Sequence, residues 1–291
     1  VVKVRSGRNP VPTTKNRPKA RARTWLFRVE GEQVYPRSDQ IVTEEPLEIR
    51  LVAGELRQTL AVTMRTPGND FELAAGFLFA EGLVGRREEI RRIAYCTDQD
   101  EPQQYNIVNV ELWANTLPNL APLERHFYTT SACGVCGRAG LDNLRLRCSR
   151  LESSLQVSAQ TIATLPHTLR EHQGLFAQTG GLHAAALFDQ NGNLIQVRED
   201  VGRHNALDKL VGWALLENRL PLTECLVLVS GRASYELAQK TLAAGIPILA
   251  AISAPSSLAV ELAREFNLTL IGFLRGSFNI YSAAERIIFP R

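Results

Sequence analysis

Apolar positions follow two regimes along the chain. In the first half, Leu47, Ile49 and Leu51 alternate with Glu48 and Arg50, the period-two signature of a half-buried strand. Gly54 and Glu55 form a turn, and residues 60–64 read as the returning strand of a hairpin. Residues 67–70 predict a helix start with Asn69 or Asp70 as N-cap. Phe71, Ala74, Ala75, Phe77 and Leu78 follow at helical spacing up to Gly82. A short helical start is expected over 86–90 and a strand over 105–112. In the second half the pattern alternates. Strands are expected over 183–188 and 194–197 around a turn at 189–193, with continuous apolar strands at 225–229, 246–252 and 268–273. Helices are expected over 205–216, over 234–244, and from Ser256 or Ser257 to Phe266. Leu207, Leu210, Val211, Ala214 and Leu215 form the buried face of the first.

Strands alternating with helices of about ten residues imply an α/β fold with parallel strands in a layered α/β/α sheet, preceded by a smaller α+β part. The expected division is a disordered basic tail (1–24), a smaller α+β domain (25–125), a flexible CxxC loop (126–150) and an α/β domain (151–291).

Composition and charge narrow this picture further. With 291 residues, 45% hydrophobic and 22% charged, the chain has globular composition and the length of two domains. Residues 1–24 hold eight Lys/Arg and no acid, which leaves 25 basic against 30 acidic residues elsewhere. The basic character is a tail, so no general nucleic-acid surface is indicated. The longest apolar stretch, 246–255, contains two prolines and falls far short of the roughly 20 residues a membrane span needs. The tail has no apolar core region and is not a secretory signal. Five cysteines do not make a disulfide scaffold and point to a reducing, cytoplasmic compartment.

Cys133 and Cys136, set in Gly134, Val135 and Gly137, are the sharpest chemical feature. A pair at i and i+3 can share a metal, form a small disulfide or relay sulfur. Backbone N–H groups in a glycine-rich loop stabilise a thiolate and raise its reactivity. A zinc site needs two more ligands, for which Cys148 and His126 are candidates. Cys96, Cys148 and Cys225 read most simply as apolar fillers.

Two strand-end loops repeat one chemistry. Ser230, Gly231 and Arg232 follow one apolar strand; Phe273, Leu274, Arg275, Gly276, Ser277 and Phe278 follow another. Gly/Ser turns at helix N-termini offer N–H groups to anions, and arginine adds a forked charge suited to phosphate. Both loops are expected at the carboxyl edge of the sheet, where open α/β sheets bind ligands. If the segment from Asp200 is helical, Asp200, His204 and Asp208 share a face, with Arg203 beside them. His183 starts a strand as a pocket histidine or a satisfied core one. A histidine on a strand with a CxxC also suggests a zinc deaminase, but Ala184 and Ala185 stand where H-x-E needs its glutamate, and the CxxC precedes the histidine.

Residues 131–137, 179–186, 199–209 and 230–236 together resemble four motifs of the FdhD family of formate dehydrogenase accessory sulfurtransferases, in the right order. The resemblance spans about residues 44–281. It implies a cytidine-deaminase-like C-terminal part and a homodimer. It further implies sulfur taken as a persulfide from a cysteine desulfurase and passed to the molybdenum cofactor, bis-molybdopterin guanine dinucleotide, for formate dehydrogenase. The persulfide carrier maps onto Cys133, with Cys136 as relay or resolving partner, and the cofactor-binding segment onto Phe273–Phe278. That segment is about one residue shorter than in the family and lacks its second basic residue. Arg232, His183, Asp200, Arg203 and His204 are expected to shape the same pocket, with no tightly bound metal. Two other classes remain open: a molybdenum-cofactor chaperone without covalent sulfur chemistry, and a zinc-dependent nucleotide-modifying enzyme.

Overall fold

The computed structural model describes residues 17–97, 105–120 and 148–290. Cys133, Cys136 and His126 lie outside the described residues. The chain begins with a hairpin of β1 (Arg21–Glu30) and β2 (Gln33–Val42). Arg21 and Arg23, counted in sequence with the basic tail, are therefore strand residues.

β3 (Glu45–Ala53) and β4 (Leu56–Arg65) form the expected hairpin, with Gly54 at φ 60° in its turn. α1 (Asp70–Glu81) ends at Gly82, whose φ of 74° lets its N–H close the last turn. Its start differs from expectation. Asn69 holds the N-cap place at φ 56° without a side-chain cap bond, and the Asp70 carboxylate turns instead to the buried guanidinium of Arg65 at 3.1 Å. A single 3-10 turn at Arg87–Glu89 matches the predicted helical start. β5 (Ile90–Tyr95) and β6 (Ile107–Leu112) complete a four-stranded sheet in the order β4-β3-β6-β5. Its inward face, with Leu47, Ile49, Leu51, Val108 and Val110, packs on Leu73, Ala74 and Leu78 of α1.

In the second half, the short β7 (Val157–Ser158) leads into α2 (Ala159–His172) and α3 (Gly174–Thr179). Then follow β8 (His183–Phe188), β9 (Leu194–Asp200), α4 (Arg203–Leu216), β10 (Leu226–Val229) and α5 (Tyr235–Ala243). β11 (Ile248–Ala251), α6 (Ser257–Glu265), β12 (Thr269–Gly272) and β13 (Asn279–Ser282) come next, and β14 (Ile287–Ile288) pairs back onto β7. Six strands make one mixed sheet, β13-β12-β11-β10-β8-β9, with β10, β11 and β12 parallel. Period-two alternation splits their side chains between two cores. Ala185, Leu187, Val227, Leu249 and Leu270 meet α4, α5 and α6, while Ala186, Phe188, Leu228, Ile248 and Ile271 meet Ile162, Leu165 and Leu169 of α2. Helices cover both faces, as the unbroken apolar runs require. Ser234 and Ser256 cap α5 and α6 by accepting from Leu237 N and Ala259 N.

The two sheets are joined through α1 and α4. A Cβ on Gly76 would stand 1.9 Å from the Asp208 carbonyl oxygen, and one on Gly212 1.8 Å from that of Glu72. Only glycine permits the backbones to cross so closely. Beside the crossing, Arg198 of β9 grips Glu72 of α1 with two bonds of 2.5 and 2.7 Å.

Candidate functional site

Strand direction gathers the predicted residues at one edge of the six-stranded sheet. β10, β11, β12 and β9 end there, while β8, antiparallel to β10 and β9, begins there with His183. The loops after β10, β11 and β12 are laced together by their backbones. Ser253 N donates to Gly231 O at 3.2 Å, Phe273 N to Ser253 O at 3.1 Å and Leu274 N to Ala251 O at 3.1 Å. Ser230 Oγ accepts from Ala184 N at 2.9 Å, fixing the first loop to β8. This edge is therefore a rigid frame under exposed side chains.

His183 sits against Gly231, where an added Cβ would come within 3.4 Å of its Nδ1 and 3.8 Å of Arg203 Cδ. Burial first, and then the nearby charges of Arg203 and His204, push the imidazole pKa below its ordinary 6.5, against an opposing pull from Asp200. His183 is thus biased toward its neutral form. Arg203 opens α4, and its Nε is buried without a hydrogen bond among the described residues. A buried donor left unmatched is costly and marks a place that an acceptor would fill. His204 Nε2 lies 2.7 Å from Glu236 Oε2 and 3.3 Å from Ser234 Oγ. The bond from His204 holds the Glu236 carboxyl below the usual carboxylate range.

Arg232 and Arg275 are exposed on their loops. Arg275 is steadied by its own Nε, which donates to Ile252 O at 3.2 Å. Phe273 is held at φ 55°, a region costly for a bulky side chain. Two backbone bonds and the fully buried Leu274 enforce it. The result is an aromatic ring raised into solvent at the sheet edge. Ser277 O accepts from Arg275 N at 3.0 Å, with Gly276 at φ 88° closing the turn.

Asp200 does not play the expected part. β9 runs through it, so it is no helix residue, and it does not share a helical face with His204 and Asp208. Its carboxylate is fully buried behind the pocket. It accepts from Thr66 N (3.1 Å), Gly202 N (2.8 Å) and Asn205 Nδ2 (3.0 Å) and pairs with Lys209 Nζ at 2.6 Å. Asp208 is paired with Lys240 at 2.7 Å. Glu236, Ser234 and Lys209 escaped sequence reasoning as site partners because their contacts join residues separated along the chain, with no local spacing to betray them.

Cys133 and Cys136 lie outside the described residues, as does the candidate zinc ligand His126. Cys96 is buried, and Cys148 and Cys225 pack half-buried beside the main core. Among the described residues, no three His, Cys, Asp or Glu side chains gather as a metal site, and no helix is long and apolar enough to cross a membrane.

The FdhD/NarQ family pattern matches residues 42–288. The sulfur carrier protein FdhD of Mycolicibacterium paratuberculosis is 54% identical over 260 residues, covering 88% of this chain and 94% of the relative. That of Streptomyces avermitilis is 52% identical over 269 residues, covering 90% and 94%. A crystal structure assigned as a formate dehydrogenase accessory protein from Desulfotalea psychrophila superposes with a TM-score of 0.73 at 26% identity. It covers 92% of this chain and 100% of its own.

Proposed function

The chain belongs to the FdhD/NarQ family, and from that premise we propose that it is a sulfur carrier serving formate dehydrogenase. The sulfur comes from a cysteine desulfurase and is received on Cys133. The Cys133 thiolate attacks the outer sulfur of the donor's persulfide; a new S–S bond forms on Cys133 and the donor cysteine leaves as thiolate. Once the acceptor is in place, Cys136 resolves this persulfide by attacking Cys133 Sγ, which leaves a Cys133–Cys136 disulfide and releases the sulfur as hydrosulfide to the acceptor; without the acceptor the sulfur stays on Cys133. The acceptor is the molybdenum cofactor, bis-molybdopterin guanine dinucleotide, held as cargo by a cytoplasmic homodimer. We read the layered C-terminal part as cytidine-deaminase-like.

The observation that carries the cargo reading is the convergence of Arg203, Arg232 and Arg275 with Phe273 on one sheet edge. Three guanidinium groups suit pyrophosphate oxygens, and the buried, unmatched Arg203 Nε suits one acceptor. The raised Phe273 ring offers a face to a purine base. His183, kept neutral, can accept or donate one hydrogen bond without adding charge.

The first test is the peptide mass of the protein after incubation with a cysteine desulfurase and cysteine in the absence of reductant. One added sulfur on the Cys133 peptide, removed by dithiothreitol, is the expected result; an unmodified peptide overturns the carrier role. For the cargo, Phe273→Ala is expected to weaken binding of guanosine diphosphate about tenfold, since base stacking on an aromatic ring contributes about 1–3 kcal/mol. Isothermal titration calorimetry reads this directly, and an unchanged Kd removes Phe273 from the site.

A further inference from the structure

We propose that the β1–β2 hairpin is the surface through which two copies of this chain join. The proposal shares with the reading above the expectation of two copies and adds where they meet. The hairpin stands apart from the family core, because β1 and all but the last residue of β2 precede the matched span at residue 42.

Its register runs without a break from Arg21↔Val42 to Glu30↔Gln33. Directly paired residues share a face, so Trp25, Phe27 and Val29 stand beside Ser38, Pro36 and Val34. That face is bare: Trp25 and Phe27 are each 75% exposed, Val29 65% and Val34 60%. A two-stranded hairpin on its own is marginally stable in water, and soluble monomers rarely leave a contiguous aromatic strip uncovered. Near its base the hairpin meets the body, with Val42 against Gly181.

Three features favour an identical hairpin as the occupant. First, the strip lies on a single face of the hairpin, so two copies can stack face to face about a two-fold axis and close the contact upon themselves. Second, the area suffices. Two aromatic side chains at about 150–250 Å² each, with two valines, bring roughly 500 Å² per copy out of water, about 1,000 Å² in all, where specific interfaces begin. Third, the charges match head to tail. Arg21 and Arg23 flank the apolar strip at the base, while Glu32 stands exposed at the tip. Antiparallel stacking sets the base of one hairpin over the tip of the other and pairs these opposite charges.

Gly181 is two residues before His183, so the contact between copies would bear on the strand that carries the pocket imidazole.

The test uses the full chain and native mass spectrometry across a concentration series. The wild type is expected as a dimer, and Trp25→Ser with Phe27→Ser is expected to raise the dimer Kd by about a hundredfold or more, as loss of central aromatic anchors does. Circular dichroism and guanosine diphosphate binding report that the body remains folded. As a gentler probe, Arg23→Glu and Glu32→Arg are each expected to weaken the dimer and, combined, to restore it. A wild-type monomer overturns both this interface and the homodimer reading. A dimer that keeps its Kd in the serine variant, or ignores the charge exchange, overturns the hairpin interface alone.

Discussion

A Cys133→Ala variant treated with a cysteine desulfurase and cysteine is expected to acquire no sulfur and to leave formate dehydrogenase inactive in cells that lack their own copy of the protein. Guanosine diphosphate binding is expected to stay within about twofold of wild type, because the proposed cargo contacts come from Arg203, Arg232, Arg275 and Phe273 and not from the Cys133 thiol. Sulfur transfer needs a thiolate that can hold the atom as a persulfide and release it, and alanine has no atom to replace it. The alternatives separate on variants of the two cysteines. Retained activity with both cysteines replaced would make the protein a non-covalent chaperone. Stoichiometric zinc lost with either cysteine would make the pair metal ligands.

The largest expected effect on stability belongs to Lys209. Its ammonium sits 2.6 Å from Asp200 with both side chains nearly inaccessible, and it also donates to Thr66 O at 2.9 Å and Glu199 O at 3.4 Å. Lys209→Met removes the cation and strands a carboxylate in the interior. Breaking a buried pair in this way typically costs about 3–5 kcal/mol, a large share of the 5–15 kcal/mol by which domains of this kind are stable. Urea denaturation is expected to show that loss as a lower midpoint. Adding Asp200→Asn is expected to recover part of it, since no charge is left unpaired, while the single amide oxygen replaces only one of the two carboxylate oxygens that accept from Thr66 N and Gly202 N. A loss below about 1 kcal/mol in the single variant would show that the pair does not anchor this region. The effect should reach the pocket as well, because the same cluster sets where β9 ends and α4 begins, and so where Arg203 and His204 stand.

Elements with one clean period were legible in the sequence. The β3–β4 hairpin, α1 and the alternating units from β8 to β12 announce themselves through apolar spacing, and Ser234 and Ser256 mark their helix starts. Three features were not legible. The β1–β2 hairpin buries neither face, so its strands carry arginines and aromatics in one row and imitate a basic tail. α2 contains Pro166, a residue that argues against a helix, yet Ile162, Leu165 and Leu169 pack on the sheet strongly enough to keep it. Asp200 is flanked by polar residues that suit a helix start, and only its buried partners Thr66 and Lys209, the former from the other half of the chain, reveal it as the end of a strand. The pocket itself was half visible. Loop composition pointed to Arg232 and Arg275, and the family resemblance to the Phe273–Phe278 segment, but the strained ring of Phe273 and the Glu236–His204 pair depend on contacts that no spacing encodes.

The glycine crossing of α1 and α4 gives the molecule a particular kind of heritage. Gly76 and Gly212 are 136 positions apart in sequence, yet each leaves the space that the other's helix occupies. Neither can acquire a side chain unless the opposing backbone retreats, so the two halves of the chain can only drift in step. A chimera that took one half from a distant relative would fold only if it also inherited a partner helix of matching slenderness.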